Sequence, residues 1–264
     1  MTDIVVVGYP KSGNTWVTRL IAELVGCPVS GFFKSDKYEI AQEGLDRKSE
    51  HRCFKSHHQL HELLHVKTLE PQTHDMKTIY VVRDPRDVSI SGSRYFKEID
   101  RWPWLSTLFS KIPYGIQVYR RWIQPATTSM EYRIEQMVQA ILFGANSVNF
   151  WVRIPWVAHY KPYLEEGYFF VRYEDLLSQP ETECRRILEF LEMERSDIEI
   201  QTAIDNQSFA TKKAKFQQSN NREKAKFMGV GKKEQWRNKL SETQKVLFQQ
   251  HLAEDLKQLD YPVN

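Results

Sequence analysis

The sequence predicts an α/β fold in which a central, mainly parallel sheet is flanked by helices. Short apolar runs rich in β-branched or aromatic residues occur at 4–7, 77–82 and 168–173, and amphipathic helical patterns lie between them. Strands as uniformly apolar as residues 4–7 are buried on both faces, as in a parallel sheet covered by helices. At 264 residues the chain can enclose one large core, so we expect a single domain over residues 1–264.

The composition is that of an ordinary globular protein with a mild excess of positive charge. A net charge of +3 is weak evidence for nucleic-acid binding, and we expect no nucleic-acid partner. No stretch is apolar for long enough to span a bilayer, and the first residues lead directly into a strand, which predicts a cytoplasmic protein without a membrane partner. Cys27, Cys53 and Cys184 lack metal-ligand spacing, so we expect reduced thiols and no metal site.

The chain begins with a strand, a tight loop and a helix. Trp16, Leu20 and Leu24 recur at helical spacing, and Gly26 with Pro28 ends the pattern. The elements predicted next are a surface loop over 27–50, a short strand within 52–60, an exposed helix over 59–70, the strand 77–82 and a helix that Asp87 caps.

Two segments of the second half have an unusual composition. Residues 97–135 are dense in Trp, Tyr and Phe without a clear period, and residues 210–239 are basic and contain glycine. We expect both to fold over a bound ligand and to form the walls of its pocket. The other predicted elements are a helix over 136–165 with a boundary at Pro155, the strand 168–173, helices over 180–191 and 196–206, and a last helix over 241–259 with a cap at Ser241.

The loop after the first strand carries the strongest chemical signal. Its pattern is Gly8, four residues, Gly13, Asn14 and Thr15, which differs from a nucleotide-binding P-loop by an amide where that motif has lysine. The cation is instead Lys11, inside the loop. Backbone N–H groups at the start of a helix have no helical partner, so the loop is suited to an anion such as phosphate. An ordinary strand-to-helix turn is the alternative.

This loop reads Y-P-K-S-G-N-T-W and resembles the sulfonate-donor loop Y-P-K-S-G-T-T-W of the sulfotransferases that use 3′-phosphoadenosine 5′-phosphosulfate (PAPS). Asn14 stands where the family has its first Thr, and an Asn side chain can still donate to a phosphate oxygen. The resemblance implies a P-loop-like sulfotransferase fold. It assigns six residues to binding the donor: Lys11, Ser12, Gly13, Asn14, Thr15 and Trp16.

A second segment, Lys55-Ser56-His57, resembles the K-T-H motif that contains the family's acceptor-activating histidine. The resemblance implies that His57 is the general base, with a side chain whose pKa lies near the working pH. His58 beside it is the alternative base. Lys55 is implied to help Lys11 neutralise the phosphate that leaves.

Two residues of the family bind the 3′-phosphate, an arginine after a strand and a serine on the next helix, and Arg83 and Ser91 match them here. By the same resemblance Ser91 holds Lys11 away from the sulfonate until the acceptor arrives. Trp16, Tyr173 and Phe209 are implied to surround the adenine, and the last of these lies in Gln207-Ser208-Phe209, which we also assign to the donor.

The last family signature, R-K-G-x-x-G-D-W-[KR], is where the sequence departs most. Aligned on Trp236, it retains Gly231, but the preceding Arg and Lys are Gly229 and Val230. We assign Gly231 and Lys232 to the donor site. The candidates to replace the missing Arg and Lys are Lys224, Lys226, Lys232 and Lys233, and the sequence does not choose among them.

Together the matches span residues 8 to 237 in the family's order and imply a PAPS-dependent sulfotransferase of the cytosolic, small-molecule type. We expect sulfonate transfer from PAPS to a hydroxyl or an amine of a small-molecule acceptor, with adenosine 3′,5′-bisphosphate (PAP) as product and no metal. The acceptor and homodimerisation stay open. One alternative is a P-loop kinase, which would need a lysine at position 14 and a magnesium-binding carboxylate for which Asp84 is the candidate. The other is a non-catalytic nucleotide-binding protein, suggested by the altered last signature.

Overall fold

A computed structural model of the chain describes residues 1–34, 42–68, 75–96, 98–208, 210–212 and 231–263. Within these residues one sheet is formed by five strands: β1 (Thr2–Val7), β2 (Val29–Phe32), β3 (His51–Ser56), β4 (Asp75–Val82) and β5 (Phe169–Arg172). Their order across the sheet is β2-β3-β1-β4-β5, and each neighbouring pair is parallel. The predicted α/β class with a central parallel sheet is confirmed.

Along the chain, the α-helices of the described residues lie between these strands and after the last of them. They are α1 (Asn14–Val25), α2 (Leu60–Thr68), α3 (Pro85–Tyr95), α4 (Pro103–Ser110), α5 (Gly115–Val118), α6 (Gln124–Thr127), α7 (Met130–Phe143), α8 (Trp156–Glu165), α9 (Tyr173–Ser178), α10 (Pro180–Phe190), α11 (Asp197–Gln207), α12 (Trp236–Lys239) and α13 (Glu242–Gln258). A π-helical turn, Tyr119–Ile123, joins α5 to α6, and a 3₁₀ turn, Phe150–Val152, precedes α8.

The register of the sheet sets the position of the candidate site. Val7 at the end of β1 pairs with Ser56 at the end of β3 and with Tyr80 near the end of β4. Because the strands are parallel, the segments that follow these three ends emerge at one edge of the sheet. These segments contain the loop before α1, His57 and Arg83.

The core beside the sheet explains why the first strand and helix could be predicted. Ile4 and Val6 of β1 are buried against one face of α1, and Leu20 and Leu24 contribute to the same cluster. Gly26 ends α1 in the left-handed conformation, as its sequence position predicted. The cap at Ser241 is also confirmed, since Ser241 and Gln244 form a reciprocal capping box at the start of α13.

Two predicted boundaries were wrong for identifiable reasons. Residues 27–50 are not only loop, because they include β2, a four-residue strand whose pairing with β3 is irregular near Gly31. A strand this short forms through its neighbour and leaves no periodic signal of its own. Helix α3 is capped by Asp84 and not by Asp87, since Asp84 accepts from the backbone N–H of Arg86 and proline occupies the first turn.

The segment 97–135 is helical over much of its length, contrary to the absence of clear elements in the sequence pattern. It contains α4, α5, the π turn, α6 and the start of α7, and these helices are too short to show a sustained period. The predicted helix over 136–165 is divided at Gly144, where α7 ends. Helix α2 is less exposed than predicted, because Leu63 is fully buried.

The described residues gather into two compact groups: Met1–Arg83 with His159–Lys233, and Asp84–Ala158 with Glu234–Asn264. The first contains the sheet and α1. In the second, Arg133 of α7 donates to the carbonyl groups of Ser93 and Phe96, each at 2.6 Å, which ties α7 to the end of α3. The single domain over residues 1–264 stays a prediction.

All three cysteines are buried free thiols, as expected. Across the described ranges, no helix is both long and apolar enough to cross a membrane.

Candidate active site

The loop between β1 and α1 is a backbone cradle. Lys11 and Gly13 both have positive φ angles, 72° and 98°, so the chain turns sharply before α1 begins. A Cβ at Gly13 would lie 2.5 Å from Cδ2 of Tyr173, so glycine is required here by space as well as by conformation. The loop therefore presents the N-terminus of α1, with its free N–H groups and partial positive charge, at the edge of the sheet.

Three cationic side chains surround this cradle. Arg83, which follows β4, donates from Nη1 to the carbonyl oxygen of Lys11 at 3.1 Å. Burial together with the charges of Lys55 and Arg83 lowers the pKa of Lys11 to about 7. Burial and the charge of Arg19 lower the pKa of Lys55 to about 8. Two buried lysines whose charged forms are disfavoured in this way are an electrostatic match for a strongly anionic ligand.

His57 lies beside the cradle and is held in one tautomer. Its Nδ1 is 2.7 Å from the carbonyl oxygen of Gly8, which can only accept, so Nδ1 carries the proton and Nε2 the lone pair. Burial lowers the pKa of His57 well below its ordinary value, and the charge of Lys55 lowers it further, while the bond to Gly8 opposes the shift. The imidazole is therefore neutral at neutral pH, which is the state that a general base requires.

Asn14 joins the donor loop to the strand that carries His57. Its Nδ2 donates to the carbonyl oxygens of Gly8 at 2.8 Å and Ser56 at 3.1 Å, and it lies 3.1 Å from Nδ1 of His57. The two amide protons are used by the two carbonyl groups, so the approach to His57 is a packing contact. The Oδ1 of Asn14 is buried and has no partner among the described residues, so the predicted role of Asn14 in binding the donor stays a prediction.

His159 was missed by the sequence analysis. It is almost fully buried, its Nδ1 lies 2.7 Å from the hydroxyl of Tyr80, and its Nε2 lies 3.1 Å from the carbonyl oxygen of His57. The Nε2–H therefore donates to the backbone of the candidate base, and the tyrosine hydroxyl donates to Nδ1. Since β4 and α8 are distant in sequence, no local pattern could have predicted this support.

An aromatic corner adjoins Arg83. The guanidinium of Arg83 lies 4.4 Å from the ring centroid of Tyr173, and the rings of Tyr173 and Trp16 are 5.5 Å apart in an edge-to-face arrangement. The indole Nε1 of Trp16 donates to the carbonyl oxygen of Gln207 at 2.9 Å. Two of the three residues assigned by resemblance to the adenine pocket, Trp16 and Tyr173, are thus brought together, and Gln207, assigned to the donor, contacts the first of them.

The side chain of Gln207 is occupied within the protein. Its Nε2 donates to Glu43 at 3.1 Å, and Glu43 also pairs with Lys212 and with Arg19 of α1 at 3.1 Å. Charged and amide groups therefore attach the end of α11 to α1. No sequence pattern predicted this cluster. Ser208 donates to the hydroxyl of Thr211 at 2.9 Å.

The remaining predicted residues are distributed as follows. Gly231 has a positive φ of 59°, and the carbonyl oxygen of Lys232 accepts from Nη2 of Arg83 at 3.3 Å. Ser12 is buried and its hydroxyl has no partner within the described part of the chain. Ser91 lies on α3 and is partly buried, and Phe209 lies outside the described residues. In the ranges that the structure covers, His, Cys, Asp and Glu side chains form no group placed to hold a metal.

The fold and this site define an α/β protein with an anion cradle and an adjacent neutral histidine. Residues 1–260 match the family described as "Sulfotransferase domain", and the chain belongs to that family.

Individual relatives are distant. Cytosolic sulfotransferase 11 of Arabidopsis thaliana is 25% identical over 72% of this chain and 52% of its own length, so the match spans about half of that relative. Sulfotransferase 1 family member D1 of Rattus norvegicus is 22% identical over 97% of this chain and 84% of its own. The crystal structure of mouse sulfotransferase SULT7A1 complexed with PAP is similar in fold, with a TM-score of 0.63 and 21% identity over 98% of this chain and 85% of the mouse chain.

Proposed function

We propose that this chain transfers the sulfonate of PAPS to a hydroxyl or an amine of a small-molecule acceptor and releases PAP. Family membership supports the sulfotransferase reaction, and PAP is bound in the similar mouse structure. The observation that carries the proposal is the group of Lys11, Lys55 and Arg83 at the N-terminus of α1, next to a histidine held neutral.

The residues present fit a nucleotide with two phosphate positions. Ser12 offers a buried hydroxyl without a partner in the described chain, and the lowered pKa of Lys11 would rise again beside an anion. Lys11, Ser12, Thr15 and the loop N–H groups are proposed to hold the 5′-phosphosulfate. Arg83 is proposed to hold the 3′-phosphate, and the assignment of Ser91 to the same phosphate rests on the sequence resemblance alone.

Trp16 and Tyr173 are proposed to stack on the adenine, because their rings already form a corner next to Arg83. Phe209 completes this pocket in the proposal. Gln207 acts through Trp16, to which it is hydrogen-bonded through its carbonyl, and not through its own amide. Ser208, Gly231 and Lys232 are proposed to border the nucleotide.

In the transfer step, Nε2 of His57 accepts the proton of the acceptor, whose oxygen or nitrogen attacks the sulfur. The bond from sulfur to the bridging oxygen breaks, and its electron pair stays on the phosphate of PAP. Lys11 and Lys55 stabilise the charge that grows on that oxygen, which is the dominant form of catalysis when donors are fixed in advance. The bond from His57 to Gly8 keeps the lone pair on Nε2.

The proposal is tested by incubating the purified chain with PAPS labelled in the sulfonate and a panel of phenols, alcohols and amines. We expect label in at least one acceptor, a mass increase equal to one sulfonate, and stoichiometric PAP. Tight PAP binding without transfer to any member of the panel would favour the non-catalytic alternative.

The kinase alternative loses its candidate metal ligand. Both oxygens of Asp84 bind Arg86, at 2.9 Å and 2.8 Å, and Asp84 also caps α3. Transfer and PAP binding are therefore expected to persist in EDTA. A strict magnesium requirement, or transfer of phosphate from ATP, would return the kinase to first place. The cytoplasmic location and homodimerisation stay predictions.

A further inference from the structure

The residues from Trp102 to Trp122 expose an unusual amount of apolar surface. They form α4, α5 and the start of the π turn, and we call them the aromatic hairpin. Trp104 and Leu108 are one turn apart on α4 and are 60% and 52% exposed. Val118 and Trp122, one turn apart in the following helix, are 48% and 66% exposed, and Tyr114 between the helices is 77% exposed. A single exposed apolar residue needs no explanation, but so many large apolar side chains exposed within one segment indicate a binding surface.

The hairpin is a built structure with a distinct inner side. Tyr119 is fully buried, its ring lies 5.5 Å from that of Phe109, and its hydroxyl donates to both carboxylate oxygens of Asp100 at 2.8 Å. At Gly115 a Cβ would lie 2.3 Å from the carbonyl oxygen of Phe109, so the two helices meet closely. Side chains such as Trp104 and Trp122 point outward because Tyr119 and Gly115 occupy the inner side.

The charges within the segment that carries the exposed apolar groups have one sign. Residues 101–130 contain Arg101, Lys111, Arg120 and Arg121 and no Asp or Glu. All four cations are exposed, and two guanidinium groups lie near neighbouring indoles, Arg101 at 6.0 Å from Trp102 and Arg121 at 5.5 Å from Trp122. The nearest preceding acid, Asp100, is occupied by Tyr119.

We infer that the aromatic hairpin docks on the surface of a bilayer that contains anionic lipids. Trp and Tyr favour the interface between headgroups and acyl chains, and arginine and lysine are attracted to anionic headgroups while their stems cover apolar surface. This inference departs from two sequence-based expectations: that the protein has no membrane partner, and that residues 97–135 fold over a bound ligand and form a wall of its pocket. Helix α4, with four large apolar residues exposed or partly exposed and no buried residue, lies along the surface and does not span it.

A second copy of the chain is a weaker candidate for the same surface. A two-fold contact through the hairpin would bring each copy's four cations against those of the other, with no acid between residues 101 and 130 to compensate. A lipid surface instead supplies both missing components, negative charge and an apolar layer.

The test is co-sedimentation of the full-length chain with vesicles of equal parts phosphatidylglycerol and phosphatidylcholine, compared with phosphatidylcholine alone. We expect binding to the anionic vesicles, weakened by high salt, with a blue shift of tryptophan emission. The double variant Arg120→Gln/Arg121→Gln should bind about 25-fold more weakly, at about fivefold for each cation near an anionic surface. The variant Trp104→Ser/Trp122→Ser should bind at least about tenfold more weakly.

Matched controls lie elsewhere on the surface. Lys161→Gln/Lys257→Gln removes two exposed cations and Ile198→Ser removes an apolar side chain that is 79% exposed, and each should bind as the parent does. No binding to anionic vesicles, or equal loss in controls and hairpin variants, would overturn the inference. Self-association in light scattering that Trp104→Ser/Trp122→Ser abolishes, without vesicle binding, would also overturn it and assign the hairpin to a subunit contact.

Discussion

Nδ1 of His57 lies 2.7 Å from the carbonyl oxygen of Gly8, so the candidate base is hydrogen-bonded to the residue at which β1 turns into the donor loop. The loop proposed to hold the donor and the side chain proposed to accept a proton therefore share one backbone group. A shift of the loop would change the direction of the Nε2 lone pair.

His57→Ala is expected to abolish transfer while PAP binding stays near that of the parent, because the imidazole acts on the acceptor. Loss of a general base lowers the rate by about a hundredfold to ten-thousandfold. Turnover with saturating PAPS and calorimetric PAP binding measure the two effects. The control is His58→Ala, since the Nδ1 of His58 lies 2.8 Å from the hydroxyl of Ser56 and its loss should leave the chemical step intact. If His58→Ala is the inactive variant, the base has been assigned to the wrong neighbour.

Asn14→Ala is expected to lower the turnover rate more than the affinity for PAP. The side chain holds the carbonyl oxygens of Gly8 and Ser56, and its removal leaves that of Ser56 without this donor. We expect about 1–3 kcal/mol less stability. Asn14→Thr should restore only part of the rate, because one hydroxyl can donate to one of the two carbonyl groups.

The matched control for Asn14 is Thr18→Ala, which removes another buried side-chain hydrogen bond of α1, from Oγ1 to the carbonyl oxygen of Asn14 at 2.7 Å. It should reduce stability similarly without changing turnover. Equal effects of the two variants on turnover would mean that Asn14 acts only on stability.

Binding of PAP is expected to take up protons from solution above neutral pH. The pKa of Lys11 is lowered to about 7 and that of Lys55 to about 8, so both lose charge as pH rises through those values in the free protein. A bound anion raises both pKa values, so protons enter with the ligand. Calorimetry in buffers of different ionisation enthalpy measures the uptake at pH 8, and Lys11→Met should reduce it. Release of protons, or no dependence on the buffer, would contradict the assignment of these lysines to the nucleotide.

Gly13→Ala is expected to destabilise the chain and to abolish PAP binding. The added Cβ would collide with Tyr173, whose ring contacts both Trp16 and Arg83, and the φ of 98° would be strained as well. Gly26→Ala is the control for strain alone, since Gly26 has a φ of 75° and a Cβ there meets nothing within 4 Å. Thermal unfolding with and without PAP separates the two variants. A Gly13→Ala protein that binds PAP normally would show that Tyr173 can move without loss.

Much of the first half of the fold could be predicted because local sequence patterns specify its elements. The apolar run of β1, the helical spacing of α1 and the stop at Gly26 each reflect burial or backbone conformation within a few residues. By contrast, β2 needed β3 as a partner, and α4 and α5 are too short for periodicity to separate them from loop. The N-cap of α3 is Asp84 and not the predicted Asp87, because an aspartate before a proline and an aspartate two residues after it look alike in sequence.

By itself the sequence determined the family, and it predicted the donor loop and the candidate base, because those depend on residue types in a fixed order along one strand-loop-helix segment and its matching motifs. The tertiary structure decided how the site is supported. The parallel register brings Gly8 to His57. The approach of α8 to the sheet places His159 behind the candidate base. The fold around Arg83 sets its guanidinium over the ring of Tyr173. Hydrogen bonds, tautomers and lowered pKa values arise between groups far apart in the chain, and a local pattern contains no record of those distances.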